Sequence, residues 1–222
     1  MTTHDKNEAL FDFASKYLVA GVSGSARLNA AIGRPVYLTH GDGCRLYDVD
    51  GNVYVDYNLS HGATFLGHNH PQIRKAIQQA LDMGVICAYE TEHHSRLAET
   101  ICRVIPCAEH VRFANSGSEA TFAAIRLART LTGKQKLLKF EGHFHGLHDY
   151  VIWNAHSPVR DTLPTYPYVP LYVESAGVPP QLADLVIVIP WNDPAAFRQA
   201  IREHEHEIAA VICEPVNYNS GC

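Results

Sequence analysis

Apolar residues recur along this chain with two different periods, and the change from one to the other divides it. Residues 4–20 are semi-apolar at helical spacing until Gly21-Val-Ser-Gly-Ser25 breaks the pattern. From Val36 to Tyr57 apolar and polar positions alternate around two turn signals, Gly41-Asp-Gly43 and Asp50-Gly51, which predicts a three-stranded antiparallel meander. A Gly- and His-rich loop over 62–70 ends at Pro71, a first-turn residue for a helix that buries Ile73, Ala76, Ile77, Ala80 and Leu81 and stops at Gly84. A second helix is predicted over 92–105, before Pro106.

Beyond residue 110 short apolar strands (111–113, 137–140, 185–189, 209–213) alternate with helices at 117–132 and 194–205. That alternation predicts an α/β domain with a mainly parallel sheet buried on both faces. Ligands of such sheets bind beyond the carboxyl ends of the strands, so the turn at 114–118 and the loops after Phe140 and Cys213 are the places to look. The segment 153–181, proline-rich and aperiodic, is long enough that a functional or mobile loop is expected. The boundary falls near residue 70, with 1–70 as an N-terminal helix and meander and 71–222 as the first part of a larger domain.

The helix at 117–132 is the most informative element. Ser116 and Glu119 have capping-box spacing, Ala120, Ala123, Ala124, Leu127 and Ala128 follow at helical intervals, and Gly133 stands just past the end. A helix start leaves unpaired N–H groups and a favourable dipole, which together suit an anion such as phosphate.

Composition narrows the classes. The 222 residues are 46% hydrophobic and 18% charged, enough apolar surface for a folded core. A formal net charge of −5 gives no sign of a nucleic-acid or polybasic membrane partner. The apolar run 185–189 is far too short to span a bilayer, and Asp5, Glu8 and Asp12 interrupt any signal-peptide pattern, so a cytoplasmic location is expected. Cys44, Cys87, Cys102, Cys107, Cys213 and Cys222 include no C-x-x-C pair and are expected to be reduced thiols.

Several chemistries compete. Asp48-Val-Asp50-Gly-Asn52 invites a calcium-loop reading, but its glycine is misplaced and position 59 is Leu, so a hairpin turn is expected. Fourteen histidines raise the question of zinc. His143, His145 and His148 with Asp149 could supply ligands, yet H-x-H-x-x-H is not the helical H-E-x-x-H arrangement, and no residue is assigned to a metal. No Gly-x-Ser-x-Gly elbow, P-loop or Gly-x-Gly-x-x-Gly follows a strand. The loops could instead converge on a planar, phosphorylated cofactor, with Asn115-Ser-Gly-Ser118 on the phosphate, Phe144 flat on a ring and Glu214 presenting a carboxylate.

Five ordered motifs then carry a resemblance: Leu46-Tyr-Asp-Val-Asp-Gly-Asn-Val-Tyr-Val-Asp-Tyr57, Leu66-Gly-His-Asn-His-Pro71, Asn115-Ser-Gly-Ser-Glu-Ala120, Lys139-Phe-Glu-Gly-His-Phe-His-Gly146 and Cys213-Glu-Pro-Val216. From about Gly21 to Cys222 the chain resembles the class III, pyridoxal-phosphate-dependent aminotransferases, and looks most like the branch containing glutamate-1-semialdehyde 2,1-aminomutase. The resemblance implies the α/β/α large domain of fold type I and a homodimer with sites at the subunit interface. It implies phosphate binding by Ser116, Gly117 and Ser118, stacking of Phe144 on the coenzyme with His145 beside it, and Glu214 as the active-site carboxylate. Arg27 falls where the aminomutases carry an arginine for the substrate carboxylate. Two positions depart from the pattern: His61 replaces the tryptophan of an S-W-G triplet, and Gly24 occupies a substrate-contacting serine.

The family's lysine that carries the coenzyme, and its aspartate on the pyridine nitrogen, follow the E-P-V motif. Lys6, Lys16, Lys75, Lys134, Lys136 and Lys139 match neither place, so the 222 residues are expected to be a fragment, inactive alone and at most a weak binder of coenzyme. The function implied for the whole protein is amino transfer between an amino acid and a keto or aldehyde substrate, with intramolecular transfer in glutamate 1-semialdehyde as the alternative. From other classes, a metal-dependent hydrolase and a non-catalytic coenzyme-binding remnant stand beside it.

Overall fold

The computed structural model describes residues 5–85, 88–156, 167–217 and 219; Cys87 and Cys222, and the prolines at 158 and 164, lie outside them. The chain divides into two compact units, one up to Ser95 and one from Arg96 onward.

The first unit opens with helix α1, Lys6–Ala14, capped by the Asp5 carboxylate on the Glu8 amide. The helix predicted over 4–20 is therefore shorter: the chain turns at Ser15, and Ala20 and Gly21 take left-handed backbone angles. A side chain at Gly21 would meet the Phe11 ring at 2.4 Å, so close packing on α1 forces the break. Strands β1 (Leu38–Asp42), β2 (Arg45–Asp48) and β3 (Val53–Val55) form the expected antiparallel meander in the order β1-β2-β3. Buried Asn7 ties α1 to it, accepting from the Tyr37 amide at 2.6 Å and donating to Asp50 at 2.6 Å. The Asp50 carboxylate accepts from the amides of Lys6 and Asn7 at the start of α1, and that of Asp48 is spent on the turn. Asp48 accepts from the amides of Asp50 and Asn52 and from the Asn52 and Tyr54 side chains, as a hairpin requires. Helix α2, Pro71–Asp82, follows. Helix α3, Glu92–Val104, contains the boundary between the units.

The second unit is built on a parallel sheet. Strands β4 (Lys136–Phe140), β5 (Val186–Ile189) and β6 (Ile208–Val211) lie in the order β5-β4-β6. Helix α4, Gly117–Thr132, packs against β6, and helix α5, Pro194–His204, against β5. On one face Leu138, Phe140, Ile187 and Ile189 meet Ala200, Phe197 and Ile201 of α5. On the other Leu137 packs with Ile125 of α4 and with Val151, while Val186 and Val188 pack with Trp153 and Val169. A register shift between Lys136 and Leu137 turns β6, so that Ile208 faces the α5 side and Ala210 the α4 side.

Residues 111–113, expected as a strand, are not among the strands of the described residues. Phe113 lines an open groove with Arg126 and Leu127 of α4 instead. The expected strand start at 185 is the end of a 3₁₀ turn, Pro180–Leu185. Within the aperiodic segment 153–181, Trp153 bridges Val173 and the Asn154 amide donates to Tyr172, giving its described ends a fixed antiparallel contact. Among the described residues no helix is long and apolar enough to cross a membrane, and Cys44, Cys102, Cys107 and Cys213 are free thiols.

Candidate functional site

The start of α4 is held by two side-chain bonds, one of them to the residue before the N-cap. Ser116 Oγ accepts from the Glu119 amide at 3.2 Å, and Glu119 reaches back to the Asn115 amide at 2.7 Å. The amides of Gly117 and Ser118 remain as first-turn donors that a helix cannot use itself. A Glu at the third position keeps negative charge near the positive end of the dipole, so the turn is stable without a bound anion.

The loop after β4 is laid over this turn. Ser118 Oγ accepts from the Leu147 amide at 3.1 Å, and Gly146 has φ +119. A Cβ at Gly146 would stand 2.7 Å from Ser118 Oγ and 2.8 Å from its Cα, so the close approach admits only glycine. Thr121, one turn into α4, donates to the His145 carbonyl at 2.7 Å and stands 3.1 Å from His148 Nε2. At the loop's other end the Gly142 amide donates to the Asn154 carbonyl at 2.9 Å.

Because β4 and β6 are parallel neighbours, the loops after them leave the sheet side by side. The Glu214 amide donates to His143 Nδ1 at 2.9 Å, and the Phe144 amide donates to the Glu214 carboxylate. Phe144 is 38% exposed, whereas His143 and His145 on either side of it are buried. Hydrogen bonds thus join the three segments that carry Ser116, Gly117 and Ser118, Phe144 and His145, and Glu214. His145 Nε2 is buried with no protein partner.

The histidines do not form a ligand set. His143 Nδ1 is committed to the Glu214 amide and His148 Nε2 to the Thr121 hydroxyl. Among the described residues no group of three or more His, Cys, Asp or Glu is placed to hold a metal ion. Burial, with the Lys139 charge adding to it, holds His143 below the usual imidazole range and brings His145 to about 3; both are neutral near pH 7. Burial also lowers His148, partly offset by Asp149.

Lys139 is fully buried on β4. Burial lowers its ammonium to about 8 against the pull of Glu141, Glu174 and Glu214, and it donates to the Trp153 carbonyl. It braces the 150s segment.

Arg27 and His61 belong to the first unit. Arg27 ends a 3₁₀ turn and donates to Ser23 Oγ at 2.9 Å; His61 is in a left-handed turn, its amide on Asn58 Oδ1 at 3.0 Å. Sequence reasoning missed Thr121, His143 as an acceptor, and Asn154. Only the glycine pair flanking 143–145 hints at a tight loop; the partners of those three residues are distant in sequence.

The comparisons with known proteins agree with one another. The model of the family described as aminotransferase class-III matches residues 29–222. Glutamate-1-semialdehyde 2,1-aminomutase of Methanocaldococcus jannaschii is 41% identical over 218 residues, covering 98% of this chain and 49% of that protein. An omega-transaminase from Sphaerobacter thermophilus superposes with a TM-score of 0.87 at 32% identity, over 96% of this chain and 48% of that one. A transaminase solved with PLP bound gives a TM-score of 0.87 at 30% identity, over 97% and 48%. The chain spans about half the length of the curated relatives it matches. Its fold is the α/β fold of the pyridoxal-phosphate-dependent transferases of type I. By a family match that takes in most of its length, the chain belongs to the class III aminotransferases.

Proposed function

We propose that the whole protein is a pyridoxal-phosphate-dependent aminotransferase that moves an amino group between an amino acid and a keto or aldehyde compound. The observation that carries this reading is the joining of Phe144 to Glu214, over a helix start whose first amides point out of α4. The residues present fit the coenzyme. Gly117 and Ser118 offer amides and Ser116 and Ser118 hydroxyls to a phosphate, and Gly146 keeps that turn closed by having no side chain. Phe144, partly exposed, would offer its ring to a planar heterocycle, with the buried His145 next to it in the loop. Glu214 holds its carboxylate at the site through the Phe144 amide. When bound, the coenzyme supplies a carbonyl that takes up the amino group and a ring that withdraws electrons. Arg27, a permanent cation, would take a substrate carboxylate, and His61 would border the substrate. We assign residues 1–70 to the small-domain side and 71–222 to the start of the coenzyme-binding domain. None of the lysines here is assigned the covalent role. A homodimer and a cytoplasmic location belong to the same proposal; the family match supports the first, and the lack of a spanning helix among the described residues agrees with the second.

A second reading, intramolecular transfer within glutamate 1-semialdehyde, is supported by the 41% identity to aminomutases. His61 and Gly24 weigh against it, since both alter substrate-side positions of that branch. The test is to add coenzyme to the full-length protein. A visible absorption band and transfer from an amino donor to a keto acid support the first reading; isomerisation of glutamate 1-semialdehyde with no external donor consumed supports the second. Retained zinc with chelator-sensitive hydrolysis would overturn both, and a band without turnover would leave a coenzyme-binding protein.

A further inference from the structure

The imidazole of His143 is fully buried, and its Nε2 has no protein partner. Its ring lies against Trp191 at 4.4 Å between centroids and against Phe140 at 5.4 Å, so it cannot swing. In that fixed orientation Nδ1 accepts from the Glu214 amide, which places the ring proton on Nε2. Glu214 in turn accepts from the Phe144 amide through its carboxylate. The two bonds are reciprocal. The side chain at 143 holds the backbone at 214, and the side chain at 214 holds the backbone at 144.

We propose that His143 is a positioning residue: as a hydrogen-bond acceptor it fixes the backbone of Glu214, and through that carboxylate it fixes the Phe144 ring relative to the turn at 116–118. The latch between the loops after β4 and β6 stands on its own geometry; its effect on coenzyme rests on the function proposed above. A residue of equal size with no acceptor would fill the cavity between Trp191 and Phe140 yet leave the Glu214 amide without its partner. A residue with an acceptor one atom beyond Cγ would restore the bond without the ring.

His143→Phe and His143→Asn separate these roles in the intact protein. Without added coenzyme, hydrogen exchange at the Glu214 amide is expected to be about tenfold faster in His143→Phe and close to wild type in His143→Asn. Titration with pyridoxal phosphate, followed by protein fluorescence, is expected to show about tenfold weaker binding for His143→Phe and recovery for His143→Asn. Wild-type exchange in His143→Phe, or exchange in His143→Asn as fast as in His143→Phe, would overturn the proposal and leave His143 a packing residue. If neither variant folds, the wild-type protein decides. Imidazole 15N shifts showing the Nε2–H tautomer with Nδ1 bonded to the Glu214 amide support the latch, and an Nδ1–H tautomer sinks it. Exchange as expected with no coenzyme bound to any form would sink the proposed function and leave the latch standing. Coenzyme binding unaltered by His143→Phe would do the reverse for the latch's effect on the site.

Discussion

Asn154 and Glu141 are joined side chain to side chain at 2.7 Å across thirteen positions of sequence, and the bond sets where the loop after β4 begins. Asn154 is fully buried, with φ +49, an angle that asparagine tolerates better than most residues. Its amide also donates to the Pro170 carbonyl at 3.0 Å, its side-chain oxygen accepts from the Tyr172 amide at 3.0 Å, and its own carbonyl accepts from Gly142. Asn154→Ala should lower stability by about 1–3 kcal/mol, because a fully buried side chain loses its bonds to Glu141, Pro170 and Tyr172. Asn154→Gly relieves the backbone but not the lost bonds. Urea midpoints that are equal for Asn154→Ala and wild type would refute this.

Gly146→Ala is a sharper test of the site than any change of charge. The added carbon would lie under 3 Å from Ser118, at a backbone angle alanine avoids, so the loop must lift from α4 at a cost of order 1–3 kcal/mol. Coenzyme affinity in the intact protein should fall about tenfold or more, while α4 itself stays folded by circular dichroism. Unchanged affinity would mean that the phosphate grip does not depend on loop closure.

For Phe144 the expectation turns on the ring alone. Phe144→Tyr should bind pyridoxal phosphate within about threefold of wild type, whereas Phe144→Leu, lacking a flat face, should lose about 1 kcal/mol of binding. Equilibrium titration of the two variants decides the matter, and equal affinities would remove stacking from the account.

Acid stability should be governed partly by the meander. Burial would push the Asp48 carboxyl up, but bonds from Asn52, Tyr54 and the Asp50 amide outweigh it and bring it from 3.8 down to about 2. A depressed carboxylate contributes stability that is fully present above its unfolded value and is lost as pH falls through the folded one. The window is therefore about pH 4 to 2. Asp48→Asn should be less stable than wild type at pH 7, and the difference should shrink on acidification through that window. A constant difference between pH 7 and 2, measured by thermal melts, would contradict this assignment. Asp56, held low by His68 at 2.7 Å, adds to the same trend.

What the sequence makes legible is local. The bounds of α4 follow from Ser116, Glu119 and Gly133, all of which act within a turn of their own positions. The start of α5 follows from Asp193 and Pro194 in the same way. The family motifs bring Ser118, Phe144 and Glu214 into view as candidates, but not the bonds between them. Those bonds are made by His143 reaching 71 positions to Glu214, by Thr121 reaching 24 to His145, and by Asn154 reaching back to Glu141. No periodicity encodes such contacts. The early end of α1 and the absence of a ladder at 111–113 have the same origin, since each depends on which neighbour is in place.

The strand order β5-β4-β6 has a consequence for how the chain is made. The central strand is synthesised first, and both of its neighbours come later, the second only with Ile208. Until then Leu137 and Leu138 have an open edge on the ribosome, and the phosphate-type turn at the start of α4 exists before the loops that close over it. Parallel pairing of this long range is slow because loop-closure entropy precedes any reward. Assembly of the sheet, and with it the meeting of Phe144 and Glu214, thus waits until β6 has been made, and rare codons between β5 and β6 would extend the period during which the nascent chain needs a chaperone.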